Sequence, residues 1–243
     1  MTKPACRVWA TRIERLDRHS LQAAYVLHTR RYGDSSLVVD LLTREQGRVA
    51  CIAKGALRAK GAAVRIQSFA HLLVELRGRG EVLSLLRAEA ATSTAQLSGR
   101  ALYCGLYINE LLLKLTARQD ASTALFDDYA LAVQGLAAAS PPEPILRRFE
   151  VSLLQHLGLG MALEMDQEGQ PIDAAGSYNY DMDSGPRRVS VGGPTAITGE
   201  TLLALRDGEF TSDQVVREAR LLMRRVINHH LDGRPLHSRE LFR

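Results

Sequence analysis

A loop of closely spaced cations is the first feature whose residue types suggest a chemistry. Lys54, Arg58, Lys60 and Arg65 follow one another between two apolar runs that are typical of strands. Phosphate binding requires cations that can reach a repeating anionic backbone, and a loop between strands holds them at fixed spacing. The alternative interpretation is a solvated basic face that binds no ligand.

More cations lie at neighbouring turns of the same region. Arg30 and Arg31 follow an apolar run, and Arg77 and Arg79 sit in a glycine-rich turn. Together with the loop cations, eight positive side chains can approach one edge of a small domain. They are Arg30, Arg31, Lys54, Arg58, Lys60, Arg65, Arg77 and Arg79.

Aromatic residues are scarce in this basic region. Between residues 21 and 90 there are only Tyr25, Tyr32 and Phe69, and Phe69 is expected in the core. Proteins that hold single strands by base stacking present several exposed rings. We therefore expect nucleic-acid binding that depends on charge and salt, tolerates sequence, and is not restricted to single strands.

The charge of the chain is unevenly distributed. The 243 residues carry a net charge of only +4, but residues 1–80 carry +9, residues 81–186 carry −8 and residues 187–243 carry +3. A basic first third next to an acidic middle indicates a polyanion-binding end and a separate module.

Catalytic and metal-binding signatures are missing from the sequence. It contains no P-loop, no G-x-S-x-G elbow and no H-E-x-x-H motif, so we expect no catalytic residues, no metal, no cofactor and no enzyme. Cys6, Cys51 and Cys104 form no pair at metal or redox spacing, which fits a reducing cytoplasm. No apolar run is long enough for a spanning helix, and residues 1–20 lack the apolar segment of a secretory signal.

The periodicity of apolar residues predicts an α+β fold. Five short strands between residues 21 and 92 predict a five-stranded antiparallel OB-fold barrel. Helical periodicity then dominates residues 93–243, with an irregular insertion at about 161–197. Residues 1–20 form a basic extension that is either a loose tail or an arm on nucleic acid.

Several motifs together resemble the RecO family of bacterial DNA-repair proteins. The resemblance covers about residues 21–243, and no single motif in it is catalytic. Its motifs include Val26-Leu27-His28-Thr29-Arg30-Arg31-Tyr32, Gly47-Arg48, Ala53-Lys54-Gly55-Ala56, Leu102-Tyr103, Tyr107-Ile108-Asn109-Glu110, Leu146-Arg147-Arg148-Phe149-Glu150 and Ser238-Arg239-Glu240-Leu241-Phe242. Because the motif Gly47-Arg48 is part of this resemblance, we expect Arg48 to bind DNA together with the eight cations named above.

This resemblance implies a recombination mediator near the nucleoid of the cytoplasm. Such a protein binds single- and double-stranded DNA, anneals complementary strands and, together with RecR, helps to load the recombinase onto strands coated by single-stranded-DNA-binding protein. An RNA-binding OB-fold protein of ribosome assembly or translation is the alternative, and an enzyme with a site around residues 164–196 is a third and weaker one.

The resemblance also implies a site for the acidic C-terminal tail of the coating protein on the helix after Pro144. Arg147 matches a basic position implicated in tail binding, and Arg148 is its neighbour. A guanidinium beside an apolar pocket suits a free carboxylate. The alternative is that one of them only pairs with Glu143 or Glu150 on the same helix.

The sequence departs from part of this family in its insertion. Some members carry a four-cysteine zinc site there, whereas residues 161–196 contain neither Cys nor His. Zinc requires thiolate or imidazole ligands, so we expect no structural zinc in this segment. We expect Tyr178 and Tyr180, packed with Met161 or Met165, to hold the insertion together.

Overall fold

The N-terminal part of the molecule is a closed β-barrel. A computed structural model of the chain describes residues 21–57, 64–91, 95–138, 140–190 and 193–242. The basic extension 1–20, the expected domain boundary at residues 92 and 93, and the loop cations Arg58 and Lys60 therefore lie outside the described residues. The five barrel strands are β1 (Gln22–Tyr32), β2 (Ser36–Thr43), β3 (Gly47–Ala53), β4 (His71–Arg77) and β5 (Val82–Ala90).

The barrel closes in the order β1-β2-β3-β5-β4, which confirms the predicted five-stranded barrel. Neighbouring strands are antiparallel except for the β3–β5 pair, which is parallel. Alternate apolar residues of each strand, such as Val26, Leu41 and Leu72, are fully buried inside it. The period-2 pattern thus places one face inward and leaves the other for the helices and for solvent.

The β2–β3 turn fits closely against the helical part. Gly47 adopts a φ of +66°, as its turn position requires. A Cβ at this residue would collide with the carbonyl oxygen of Asp120. Gly47 is therefore needed both for its backbone conformation and for the close approach of the two chain segments.

Five α-helices follow the barrel. The first three helices pack against one another, and the last two pack against the insertion. Their bounds are α1 (Gly99–Leu115), α2 (Thr123–Ala137), α3 (Pro142–His156), α4 (Gly199–Asp207) and α5 (Asp213–His230), and a 3-10 helix His237–Phe242 ends the described chain.

Helix caps explain most of these boundaries. Ser122, Thr198 and Ser212 each accept a hydrogen bond from the backbone N–H three residues later, as N-cap residues do. The helix expected after Pro144 begins earlier, at Pro142, because proline is well accommodated in the first turn of a helix.

An aromatic cluster joins the barrel to the helices. Tyr25 of β1 stacks on His71 of β4 with ring centroids 4.4 Å apart. On its other side Tyr25 meets Phe126 at 5.4 Å and Tyr129 at 5.1 Å, both from α2. One hydrophobic core thus continues from the outer face of the barrel into the helices.

The insertion forms a small sheet that packs on the last two helices. Its strands, β6 (Ser177–Asp181), β7 (Gly185–Val189) and β8 (Ile197–Thr198), have the order β7-β6-β8. Tyr178 and Tyr180 are buried in the core of this region, and Met161 packs against that core, as expected. Met165 is instead 53% exposed.

Candidate nucleic-acid interface

The β1–β2 hairpin carries the first pair of expected cations to its tip. Arg30 pairs with Val38 and Arg31 with Leu37, just before the turn, and both arginines are exposed. Tyr32 follows them and is 57% exposed. It is the one exposed aromatic residue among the described residues of the barrel.

Lys54 lies beside this tip because of the strand register. Leu37 of β2 pairs with Arg31 on one side and with Ala53 of β3 on the other. Two strand spacings, about 10 Å, therefore separate Arg31 from the end of β3, where exposed Lys54 follows. A backbone hydrogen bond of 3.0 Å from Leu57 to Ser35 ties the loop to the hairpin.

Further cations lie near the hairpin tip, around a cavity of about 460 Å³. Lys54, Arg65 and Arg87 line it, together with backbone and apolar side chains of the loop and of β5. Arg87 is 61% exposed and pairs with Glu89. Sequence reasoning missed Arg87 because it lies inside a strand. We call this set the tip surface: Arg30, Arg31, Tyr32, Lys54, Arg65 and Arg87.

Arg79 lies in a different part of the barrel from Lys54, whereas Arg77 pairs with Ser84, which pairs with Ile52, two residues before Lys54. The β4–β5 turn that carries Arg79 is held by a 2.7 Å hydrogen bond from Gln119 Nε2 to the Gly80 carbonyl. The backbone of Gln119 also donates to the carbonyl of Arg48, at the start of β3. Lys54 lies past the other end of that strand. Arg79 is therefore separated from the other described cations of the expected edge, because the turn that carries it is anchored to the α1–α2 loop.

Arg48 is engaged inside the protein. Its Nε donates to Thr116 Oγ1 at 3.1 Å, and an Nη donates to the Thr116 carbonyl at 2.7 Å. Burial, and next the nearby positive charge of Arg118, lower the pKa of this guanidinium. Arg48 thus holds the barrel to the helices in this structure.

The two arginines expected at the tail site have different surroundings. Arg147 is buried and donates to Glu150 Oε1 at 2.5 Å. The same oxygen accepts a 2.6 Å hydrogen bond from Tyr107. Burial raises the pKa of Glu150, and the charge of Arg147 opposes that rise. The alternative pairing with Glu150 is the one observed. Arg148 is exposed, and its Nε donates to the Gly208 carbonyl at 2.7 Å.

A more accessible group lies outside the buried Arg147. Arg100 of α1 is 65% exposed and pairs with Glu143 of α3. The Arg239 guanidinium lies 5.9 Å from the Tyr107 ring centroid. Tyr103 meets Phe242 edge-on at 6.1 Å, and both rings are partly exposed. We call Arg100, Tyr103, Arg239 and Phe242 the C-terminal patch. Its members come from distant segments, so spacing along the sequence gave no signal for it.

Comparison with known proteins identifies the family to which this architecture belongs. Residues 19–94 match the family model described as Recombination protein O N terminal, and residues 96–240 match Recombination protein O C terminal. The chain belongs to the RecO family. These matches confirm the resemblance to the RecO family that the sequence motifs indicated.

Curated relatives in the RecO family cover nearly the whole chain. DNA repair protein RecO of Methylococcus capsulatus is 46% identical over 226 residues, which is 92% of this chain and 93% of the relative. The protein of the same name from Aromatoleum aromaticum is 42% identical (91% and 94%), and that from Pseudomonas putida strain GB-1 is 41% identical (94% and 99%).

Membership of the RecO family supports a role in DNA repair. The name that these relatives share indicates no enzymatic activity. Among the described residues, no helix is long and apolar enough to cross a membrane.

Proposed function

We propose that this protein is a recombination mediator that anneals complementary DNA strands and, with RecR, helps to load the recombinase onto strands coated by single-stranded-DNA-binding protein. The observation that carries the proposal is the composition of the tip surface. It presents five cations and a single exposed ring, Tyr32.

This composition suits annealing for a physical reason. Cations neutralise the phosphate backbones of two strands and so reduce their mutual repulsion. Stacking on aromatic side chains would instead hold the bases away from their complements. A surface rich in charge and poor in rings therefore leaves the bases free to pair.

An annealing assay with the full chain tests the proposal. We expect R31Q/K54Q/R65Q to slow annealing of complementary oligonucleotides and to reduce the slope of log affinity against log salt by about 2. The matched control is R187Q/R188Q/R206Q, which removes the same charge from β7 and α4. A salt-independent affinity, or equal losses in both variants, would contradict the proposal. A clear preference for RNA over DNA would favour the alternative in ribosome assembly or translation.

We also propose that the acidic tail of the coating protein docks at the C-terminal patch. Tyr103 and Phe242 meet edge-on, Arg100 lies three residues before Tyr103 on α1, and Arg239, which donates to Asn228 Oδ1 at 2.6 Å, lies three residues before Phe242. Two guanidinium groups near two partly exposed rings suit an acidic segment that ends in a carboxylate. Arg147 lies behind the patch and supports it by holding Glu150 and Tyr107 in place. Arg148 points instead to the end of α4.

Binding of a fluorescent acidic tail peptide tests this second site. R100Q/R239Q is expected to weaken binding at least about tenfold, since two charge-assisted contacts are lost. R148Q, a control on α3, is expected to leave the binding unchanged. The reverse pattern would move the site to Arg148. RecR enters the proposal through the family resemblance, and co-elution of the two purified proteins is its test.

A further inference from the structure

A row of arginines runs along the solvent face of α5. Arg217, Arg220 and Arg224 are spaced three and four residues apart, and all three are exposed. Leu221 lies between them and is 58% exposed. The opposite face of the helix, which includes Ala219 and Met223, is buried. Since helical residues at this spacing share one face, the three guanidinium groups form a line.

These three arginines have no partner among the described residues of the protein. None of them makes a hydrogen bond or ion pair there, unlike Arg225, which donates to the Tyr180 carbonyl at 3.1 Å. Glu218, which follows Arg217 in the sequence, accepts hydrogen bonds from Thr198 and Thr201 on the other side of the helix. No described residue therefore holds any of the three guanidinium groups in an ion pair, although Asp213 lies one turn before Arg217.

Stabilisation of the helix does not account for the row. Positive charge is favoured near the C-terminus of a helix, where it interacts with the dipole. Arg217 and Arg220 instead lie in the first half of α5, which runs from Asp213 to His230. Only Asp213, one turn before Arg217 on the same face, is placed to complement the dipole there. Charge at these positions thus points to an external anion.

We propose that the Arg217–Arg220–Arg224 row is a second nucleic-acid site, which binds the backbone of one strand while the tip surface binds another. This inference rests on the proposed annealing function and deepens it. From Arg217 to Arg224 the helix rises about 10 Å. Phosphates of a stacked strand repeat about every 3.4 Å, so the row spans about three of them.

The shape of the surface favours a nucleic-acid backbone over an acidic peptide tail. A peptide tail requires a pocket for its apolar side chains. Leu221 protrudes from the row, and α5 lines neither the tip-surface cavity nor the cavity of about 530 Å³ beside Met161. A protruding leucine can instead pack against sugars between the phosphates.

A strand-bridging measurement tests the row. Two non-complementary thymidine-rich oligonucleotides, one with a donor dye and one with an acceptor, report by energy transfer when one protein binds both. For R217Q/R220Q/R224Q we expect affinity for the first oligonucleotide within about twofold of wild type, bridging weakened at least about tenfold, and a bridging salt slope reduced by about 2. R187Q/R188Q/R206Q is the control of equal charge and is expected to bridge normally.

The outcomes separate this inference from the annealing proposal. The α5 site would be overturned if the α5 variant bridged two oligonucleotides as well as wild type, or if the control variant lost bridging equally. It would also be overturned if the α5 variant lost binding of an acidic peptide while its bridging stayed intact. If only R31Q/K54Q/R65Q loses affinity for the first oligonucleotide, that result supports DNA binding by the tip surface independently of the α5 site. A wild-type protein that binds no oligonucleotide overturns both proposals. Unchanged melting temperatures of all variants show that surface charge, and not folding, is measured.

Discussion

The Arg147 guanidinium donates to Glu150 Oε1 across 2.5 Å, three residues apart on α3, with only 6% and 1% of the two side chains exposed. Tyr107 of α1 donates to the same carboxylate oxygen at 2.6 Å. This buried pair therefore ties two helices together behind the C-terminal patch. Its arrangement leads to a test that separates folding from tail binding.

Removal of one partner of this pair is expected to be costly. R147M leaves the Glu150 carboxylate buried without its counter-charge and should lower the free energy of unfolding by about 3–5 kcal/mol. Urea unfolding of the full chain measures this change. The double variant R147M/E150L removes both charges and is expected to regain much of the loss.

Tail-peptide affinity of these variants must be compared at equal folded fraction. If Arg147 affects tail binding only through the stability of the fold and does not contact the tail, R147M/E150L keeps much of its tail affinity. An R147M protein with wild-type stability would show that the pair contributes nothing to the fold.

Gly47 gives a second prediction, because it combines a positive φ with a crowded site. G47A forces a Cβ against the Asp120 carbonyl and should destabilise the protein by well over the approximately 1–2 kcal/mol of the left-handed conformation alone. Gly55 is the matched control, since its φ is +71° and a Cβ there meets no atom within 4 Å. Equal melting temperatures for G47A and G55A would contradict the close approach.

Arg48 and Arg77 are expected to respond in opposite ways. R48Q removes two hydrogen bonds between β3 and Thr116 and should lower the free energy of unfolding by about 1–3 kcal/mol, with little effect on the DNA affinity of the folded fraction. R77Q should leave stability unchanged and weaken DNA binding modestly. Chemical denaturation and fluorescence anisotropy measure the two effects, and the opposite pattern would return Arg48 to the DNA interface.

Glu110 gives a prediction for pH. Burial alone would raise the pKa of its carboxyl group, but hydrogen bonds from the Ser238 side chain and backbone, from the His237 backbone and from Lys114 outweigh burial and lower that pKa to about 2. Since the folded pKa lies below the ordinary value of 4.5, this contribution to stability is complete above pH 4.5 and is lost as the pH falls towards 2.

Replacement of Glu110 by Gln removes its contribution to the pH dependence of stability. The difference in unfolding free energy between wild type and E110Q should be largest above pH 5 and should shrink as the pH approaches 2.5. E240Q, on the exposed side of the 3-10 helix, serves as the control. A difference that stays constant with pH would exclude Glu110 as its source.

The sequence was sufficient to predict the barrel, because its strands depend on a local pattern. The periodicity of apolar residues indicated the five strands that the structure contains. The tip surface was predicted in part for the same reason, since Arg31 and Lys54 flank strands whose order follows from the OB-fold pattern.

The remaining features depend on contacts between distant segments. Whether Arg147 faces solvent or Glu150 depends on how α3 packs on α1, and helical spacing allowed both arrangements. Arg48 reaches Thr116 only because Gln119 brings the α1–α2 loop to the start of β3. The C-terminal patch joins residues that are more than 130 positions apart, so no local pattern could have revealed it.

Closure of the barrel also bears on how the protein avoids self-association. Each of the five barrel strands has a paired neighbour on both sides, so the barrel has no edge strand among the described residues to template a strand from another chain. The small sheet of the insertion does end in an outer strand, β7, but Arg187 and Arg188 place two positive charges on it. Such charges oppose edge-to-edge pairing of this sheet with a strand of another chain.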